Sequence, residues 1–354
     1  MLLIIKVNIV RIIYLSIAGI GIYSRINQVE KKYSVQINNY ADRALLLDSK
    51  LPQSLIARAL YYINSAEYQQ AIPYLEKAIL YNPNSAMVIN ILSDFYSNYI
   101  PDTEKYLEYA LKGIRLDIGA HDSITASYIY LHVSNALVQS GFVDEAEIYI
   151  NKSLEYDPGN LYSEYVKAYI LFARERDLRQ LKNLLIQTLN KDSTRLDIMQ
   201  ETAKSYYYLR DYGNAYKYYK RFLENKEAQN LDIYRAENAK IGVVLSKMGL
   251  IVESEKYFSD FKDYAEKDKS IYKHLSLAVY YSYKDDTKNA IVQMKLFSQQ
   301  NNYHFWTIIF LKMDPLIDYI KDLPEFKRIY NDLETKFWNS HKQIKASLRK
   351  KKLL

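Results

Sequence analysis

Five histidines, His121, His132, His274, His304 and His341, are the side chains of this 354-residue chain best suited to acid–base or metal chemistry, and no two of them stand at a ligand spacing. No HExxH, phosphate loop or nucleophile elbow occurs. The chain has no Cys, so disulfides, thiolate metal sites and cysteine nucleophiles are all excluded. Carboxylate pairs such as Asp285 and Asp286 fall in a turn between helical segments and read as loop and cap residues. His132 and His274 fall on helices with no carboxylate or nucleophile placed beside them, and read as surface or groove histidines. No catalytic site, metal or cofactor is expected, so function must come from surface shape.

The elements that would build such a surface are helical. Apolar residues make up 49% and charged residues 25%, with 9 Gly and 7 Pro, which is too few turn residues for a many-stranded protein and too apolar for disorder. There are 37 Tyr, so much of the packing falls to a ring whose hydroxyl still needs a partner or water. The net charge of +7 comes from 48 Lys and Arg spread among 41 Asp and Glu, a mixed solvated surface and not a field for nucleic acid.

LPQSLIARALYYINSAEYQQAIPYLEKAILYNPNS sets Leu55, Ala59 and Tyr62 on one helical face, then Tyr68, Ala71, Leu75 and Ala78 on another, and closes with Pro83. Two antiparallel helices approach closely only where small side chains meet, here Ala59 with Ala71, and Pro83 ends the second helix. Tyr130, Ser134, Leu137, Gly141, Ala146, Ile150, Ser153 and Pro158 repeat the pattern, as do Ala203, Tyr206, Tyr212, Ala215, Tyr219 and Phe222. Two later units keep Gly242 with Ser254 beside Leu245 and Phe258, and Ala278 with Ala290 beside Tyr281 and Met294. Successive second-helix small residues lie 75, 69, 39 and 36 residues apart, so each long gap holds one degenerate unit, around IPDTEKYLEYALKGIRLD and YVKAYILFARERDLRQLKNLLIQTL. NNYADRALLLDS reads as the second helix of a further partial unit.

These units resemble the tetratricopeptide repeat (TPR) position by position. The resemblance implies an all-α fold, a right-handed α-α superhelix of about seven to eight hairpins over residues 25–300, whose inward first helices form a groove for a peptide or partner helix. Inward positions by register are Leu60 and Asn64; Tyr128, Leu131 and Asn135; Lys204, Tyr207 and Tyr208; Lys240 and Val243; Tyr272, Leu275 and Val279. Chaperone-binding members clamp a carboxylate with Lys and Asn one turn apart; Ile56 with Leu60 and Leu131 with Asn135 stand there instead, so that partner class is not implied. Residues 301–354 read as capping helices and a basic tail, with Asp314–Pro315 and Asp322 with Pro324 as helix starts and Trp306, Phe310, Leu316, Phe326 and Trp338 as the cover.

Residues 1–24, MLLIIKVNIVRIIYLSIAGIGIYS, read as a membrane anchor in which Lys6 and Arg11 snorkel and Tyr14 and Tyr23 sit near headgroups. A cleaved leader and a buried first helix are the alternatives, and the flanking charges leave the orientation open. A membrane-tethered, non-enzymatic scaffold for a protein or peptide is the leading expectation. The other is the sensory or regulatory part of a signalling system, because ALYYINSAEYQQAIPYLEKAILYNPNSA and MDPLIDYIKDLPEFKRI resemble the C-terminal TPR arrays of bacterial membrane-bound signalling and transcription regulators. The segment before Tyr23 is too short for their output domain, which a separate protein would then supply.

Overall fold

The computed structural model describes residues 38–65, 67–98, 100–115 and 122–354; the expected anchor, residues 1–24, and His121 lie outside them. Among the described residues there are α-helices and short 3-10 turns and no strand. By its contacts the chain forms two compact units, Met1–Asp122 and Ser123–Lys352.

The first unit holds α1 (38–47), α2 (Pro52–Asn64), α3 (Tyr68–Tyr81), α4 (Ala86–Asn98) and α5 (Thr103–Gly113). The second holds α6 (Ser123–Gln139), α7 (Val143–Tyr156), α8 (Leu161–Glu175), α9 (Leu178–Lys191), α10 (Leu196–Tyr208), α11 (Tyr212–Ala228), α12 (Asn238–Lys247), α13 (Ile251–Lys267), α14 (Lys273–Tyr283) and α15 (Thr287–Ser298). After them come α16 (Phe305–Phe310), two 3-10 turns and α17 (Pro324–Lys350). Helices α2 to α15 pair into seven antiparallel hairpins, each packed on the next within its unit.

Small residues make the pairing possible. Ala59 and Ala71, Ser134 and Ala146, Ala203 and Ala215, and Ala278 and Ala290 are each fully buried, always 12 residues apart. At Gly242 a methyl group would stand 2.8 Å from Phe258 Cε2, a distance real Cβ atoms essentially never show. Where the small residue is Ser, its hydroxyl also crosses the hairpin: Ser134 Oγ donates to the Ala146 carbonyl at 2.7 Å, and Ser254 Oγ to that of Gly242 at 2.8 Å.

Each first helix of the second unit stops at a left-handed residue in the same register: Gly141, Arg176, Arg210, Gly249 and Asp285. Gly adopts this without a Cβ penalty, whereas the other three accept a cost of about 1 kcal/mol each to make the turn. The tyrosines stack across hairpins in pairs, Tyr62 with Tyr74 at 5.6 Å, Tyr96 with Tyr109 at 5.8 Å and Tyr206 with Tyr218 at 5.6 Å. A cation covers each pair, from Arg58, Lys105 and Lys182 respectively. The Tyr62 and Tyr96 hydroxyls accept from the same cations, Arg58 and Lys105, at 3.2 and 3.1 Å, which gives these rings the polar partner they need.

Candidate functional site

The first helices of the second unit present one continuous face, on which α8 and α10 carry the informative residues. Placing Ala168 and Ala203 at the crossings sends Tyr162, Tyr165, Tyr169 and Phe172 of α8 inward, with Asp197, Gln200, Lys204, Tyr207 and Tyr208 of α10. The face divides lengthwise into two halves.

The half toward the helix C-termini is filled by the chain's own residues 304–318. Trp306 packs edge-on to Tyr169 at 5.5 Å, and Phe310 stacks on Phe172 at 5.2 Å and on Tyr208 at 4.8 Å. The Tyr207 hydroxyl donates to Asp314 Oδ1 at 2.5 Å, and the Leu316 N–H donates to the same oxygen at 2.9 Å. The His304 N–H donates to the Tyr272 hydroxyl at 2.9 Å. Arg210 forms a forked pair with Asp318 at 2.5 and 2.8 Å. Asp314 therefore caps a short 3-10 turn rather than a long helix, and α17 starts at Pro324 without a side-chain cap from Asp322.

A buried charged cluster lies beneath. Lys204 Nζ stands 2.6 Å from Glu201 and 3.8 Å from Glu237, and Lys240 is 3.6 Å from Glu237. The hydroxyls of Tyr169 and Tyr219 donate to Glu201 and Glu237. Burial pushes Glu237 up, but Lys240 and Lys204 outweigh it and hold the carboxyl below its ordinary value. At Asp314 burial prevails over Lys240 and the Tyr207 hydroxyl, and its carboxyl is held up. Gln200 is 1% exposed; neither of its amide atoms finds a partner with hydrogen-bond geometry, although the amide reaches toward Glu237.

α17 continues past this filling. Its Lys336 donates to the carbonyls of Ser298, Gln299 and Gln300, closing the end of α15. Farther along, Phe337 fits against Gly141, His341 lies 4.1 Å from the Phe142 ring and donates from Nδ1 to the Ser140 carbonyl at 3.0 Å, and Lys345 is 3.3 Å from Glu145.

The predicted groove residues are thereby placed. Lys204, Tyr207, Tyr208, Lys240 and Tyr272 face the chain's own C-terminal segment or the charged cluster beneath it. Leu131 and Val279 are 2% and 9% exposed, and Leu275 and Asn135 are half-buried. Of the histidines, His132 is half-buried with its imidazole held down by burial, and His274 Nδ1 meets Gln293. Residues 301–354 cover α15, as a terminal cap does, and also occupy the inward face, because their aromatic residues match rings on α8 and α10 rather than only the last hairpin.

The half toward the helix N-termini is different, and of the predicted residues only Tyr128 belongs to it. Tyr128 and Tyr162 lie 6.3 Å apart, and the Arg195 guanidinium stacks on Tyr162 at 3.8 Å. Asp197 holds that guanidinium by two bonds at 2.8 and 2.5 Å. Tyr234 is an electrostatic neighbour of Tyr162 and Arg195, and Tyr165 packs edge-on against Tyr169 at 5.3 Å. Apart from the buried Tyr169, these side chains are partly exposed. Tyr234 holds φ +57°, an unfavourable conformation for a bulky residue, and its ring packs edge-on against Phe222 of α11 at 5.9 Å. The irregular small residues around Tyr162 hid this strip; taking Ala168 as the crossing residue would have brought Tyr162 and Tyr165 into the inward register.

The hairpins, their small crossings and their inward helices define the class: the chain is a tetratricopeptide-repeat protein. More particularly, residues 9–157 match the family model described as the SusR N-terminal TPR domain. Among solved structures, a tetratricopeptide repeat protein from Parabacteroides merdae shares the fold at TM-score 0.56 and 13% identity, over 71% of this chain and 94% of that one. The human IFIT1 dimer with m7Gppp-AAAA does so at TM-score 0.50 and 13% identity, over 86% and 68%. A comparison with curated proteins found no match. The TPR fold is that of a protein–protein interaction scaffold, typically without enzymatic activity. Among the described residues no helix is long and apolar enough to cross a membrane.

Proposed function

We propose that this protein is a scaffold that takes an extended peptide along the strip Tyr128, Tyr162, Arg195, Asp197 and Tyr234. The observation that carries this is the division of the inward face. Residues 304–318 bury Phe305, Ile308, Leu311, Leu316 and Ile317, each at 6% exposure or less. At about 1.5–3 kcal/mol per side chain, their displacement would cost roughly 10 kcal/mol, more than an ordinary peptide supplies. The filled half is therefore core, and binding falls to the half whose aromatic and charged groups are still accessible. Selection from a random peptide display library tests this. Enriched peptides should lose binding to Tyr162→Ala and keep it for Val252→Ala, a substitution on the 84%-exposed Val252 of α13. Peptides indifferent to Tyr162→Ala would refute the strip.

The tether belongs to the same proposal: residues 1–24 anchor the scaffold, on the strength of their apolar run interrupted by Lys6 and Arg11. Release of the full chain from membranes by alkaline carbonate would refute it. A regulatory role is the second reading, favoured by the match to a domain described from SusR. That description places the domain N-terminally in its protein, in contrast to the C-terminal arrays the sequence resembles.

A further inference from the structure

We infer that the outer ends of α1 and α3 rest on the lipid surface into which residues 1–24 are proposed to insert, an inference that rests on that tether. The repeat register carries it. Nine and ten residues beyond the buried crossing residue Ala71, the second helix of its hairpin ends in Leu80 and Tyr81, 70% and 40% exposed. One repeat of 34 residues earlier, α1 ends in Leu46 and Leu47, 86% and 73% exposed. Nine residues beyond Ala146, Ala215, Ser254 and Ala290, the second unit sets Glu155, Glu224, Asp263 and Gln299. The same outward position is thus polar throughout the clear hairpins of the second unit and leucine in the first. A solvated helix end gains nothing from leucine, and a group of them marks a surface with a partner.

The two ends adjoin. Lys50, in the turn after α1, holds its ammonium 5.8 Å from the centre of the Tyr81 ring, so the exposed apolar side chains gather on one side of the first unit. Helical spacing adds Tyr40 and Arg43 to the Leu47 side of α1, and Lys77 to the Leu80 and Tyr81 side of α3. Arg43, Lys50 and Lys77 are all exposed, against the exposed carboxylates of Asp48 and Glu76. Leucines flanked by tyrosines and by cations suit the headgroup level of a bilayer, where the rings sit at the interface and the cations meet anionic headgroups. The connection supplies the rest of the argument. The 13 residues 25–37 span at most about 45 Å, so once residues 1–24 are inserted α1 stays beside the membrane. Lipid is then at high effective concentration around this patch, and a weak contact suffices to hold it down.

The chain has no Cys, so a single introduced thiol can carry a dye that brightens in apolar surroundings. Leu46→Cys, Leu80→Cys and, beyond the other end of α3, Ser65→Cys are labelled in the full chain and reconstituted into phosphatidylcholine vesicles containing phosphatidylglycerol. Relative to the dye in water, emission from the first two should rise about 3-fold and be quenched by nitroxide-labelled lipid, and emission from the third should do neither. Water-like emission from the first two, in a chain that alkaline carbonate does not release, overturns the inference and leaves the tether standing. Bright emission that nitroxide lipid does not quench means that protein covers the patch, from residues 1–24 or a second copy, and overturns it too. Release by carbonate removes the tether and the inference together. Far-UV circular dichroism confirms that each labelled chain is folded as the parent.

Discussion

The two halves of the inward face in the second unit are built on the same helices in the same repeat register, and differ in what lies against them. On α8 the C-terminal pair Tyr169 and Phe172 meets Trp306 and Phe310, while the N-terminal Tyr162 carries a guanidinium and is partly exposed. On α10 Tyr207 is fully buried and bonded to Asp314, while Asp197 only steadies Arg195. Register therefore decides which side chains point inward, and a segment more than a hundred positions away decides whether they become core or surface.

The comparison is most open to attack through stability. Phe172→Ala, at a fully buried ring in the filled half, should lose about 3–5 kcal/mol, whereas Tyr162→Ala in the open half should lose no more than about 1 kcal/mol. Urea denaturation measures both, and equal losses would erase the distinction.

A pH series sharpens it next. Burial holds the His304 imidazole down to about 4, against an ordinary 6.5, so it is neutral in the fold. The unfolded chain takes up its proton below 6.5. This contribution is full above that pH and is lost as the pH falls from 6.5 to 4, by about 3 kcal/mol in all. Asp314 acts in the opposite sense: its raised folded value gives a contribution that is present below the ordinary carboxylate range and lost as the pH rises through that folded value. His304→Asn keeps the backbone donor to Tyr272 and should flatten the acid side of the stability profile. An unchanged profile would detach His304 from the filling.

At pH 7 Asp314→Asn keeps an acceptor for Tyr207 and Leu316 and removes a buried charge, so stability should hold or rise by about 1 kcal/mol. Asp314→Ala strands the Tyr207 hydroxyl and should cost about 1–3 kcal/mol. If both variants lose stability alike, the carboxylate is ionised and needed. The smallest expected effect is that of Tyr162→Phe, within about 0.5 kcal/mol, since no internal partner holds that hydroxyl among the described residues. A larger loss would place Tyr162 with the core.

The hairpins were legible because their signal is local. Ala59 with Ala71 and Gly242 with Ser254 are small for a steric reason that sequence spacing exposes, and both degenerate units, now α4 with α5 and α8 with α9, fall where the long gaps required them. The inward direction of Lys204 and Tyr207 was legible for the same reason. What occupies them was not, because Trp306, Phe310 and Asp314 show in sequence only that they need cover, and cover on the last hairpin satisfies them as well as cover on α8 and α10. Arg195 precedes α10 in a turn, outside any helical periodicity, so only the folded chain brings it onto Tyr162.

Repeat arrays commonly fray from their ends, since each hairpin touches only its neighbours. Here one helix about 40 Å long fastens the end of α15 to the turn before α7, and so joins the first and last hairpins of the second unit. Neither end can peel away alone. The unit becomes a hoop instead of a row of links, and should melt in one cooperative step, as a non-repetitive domain does.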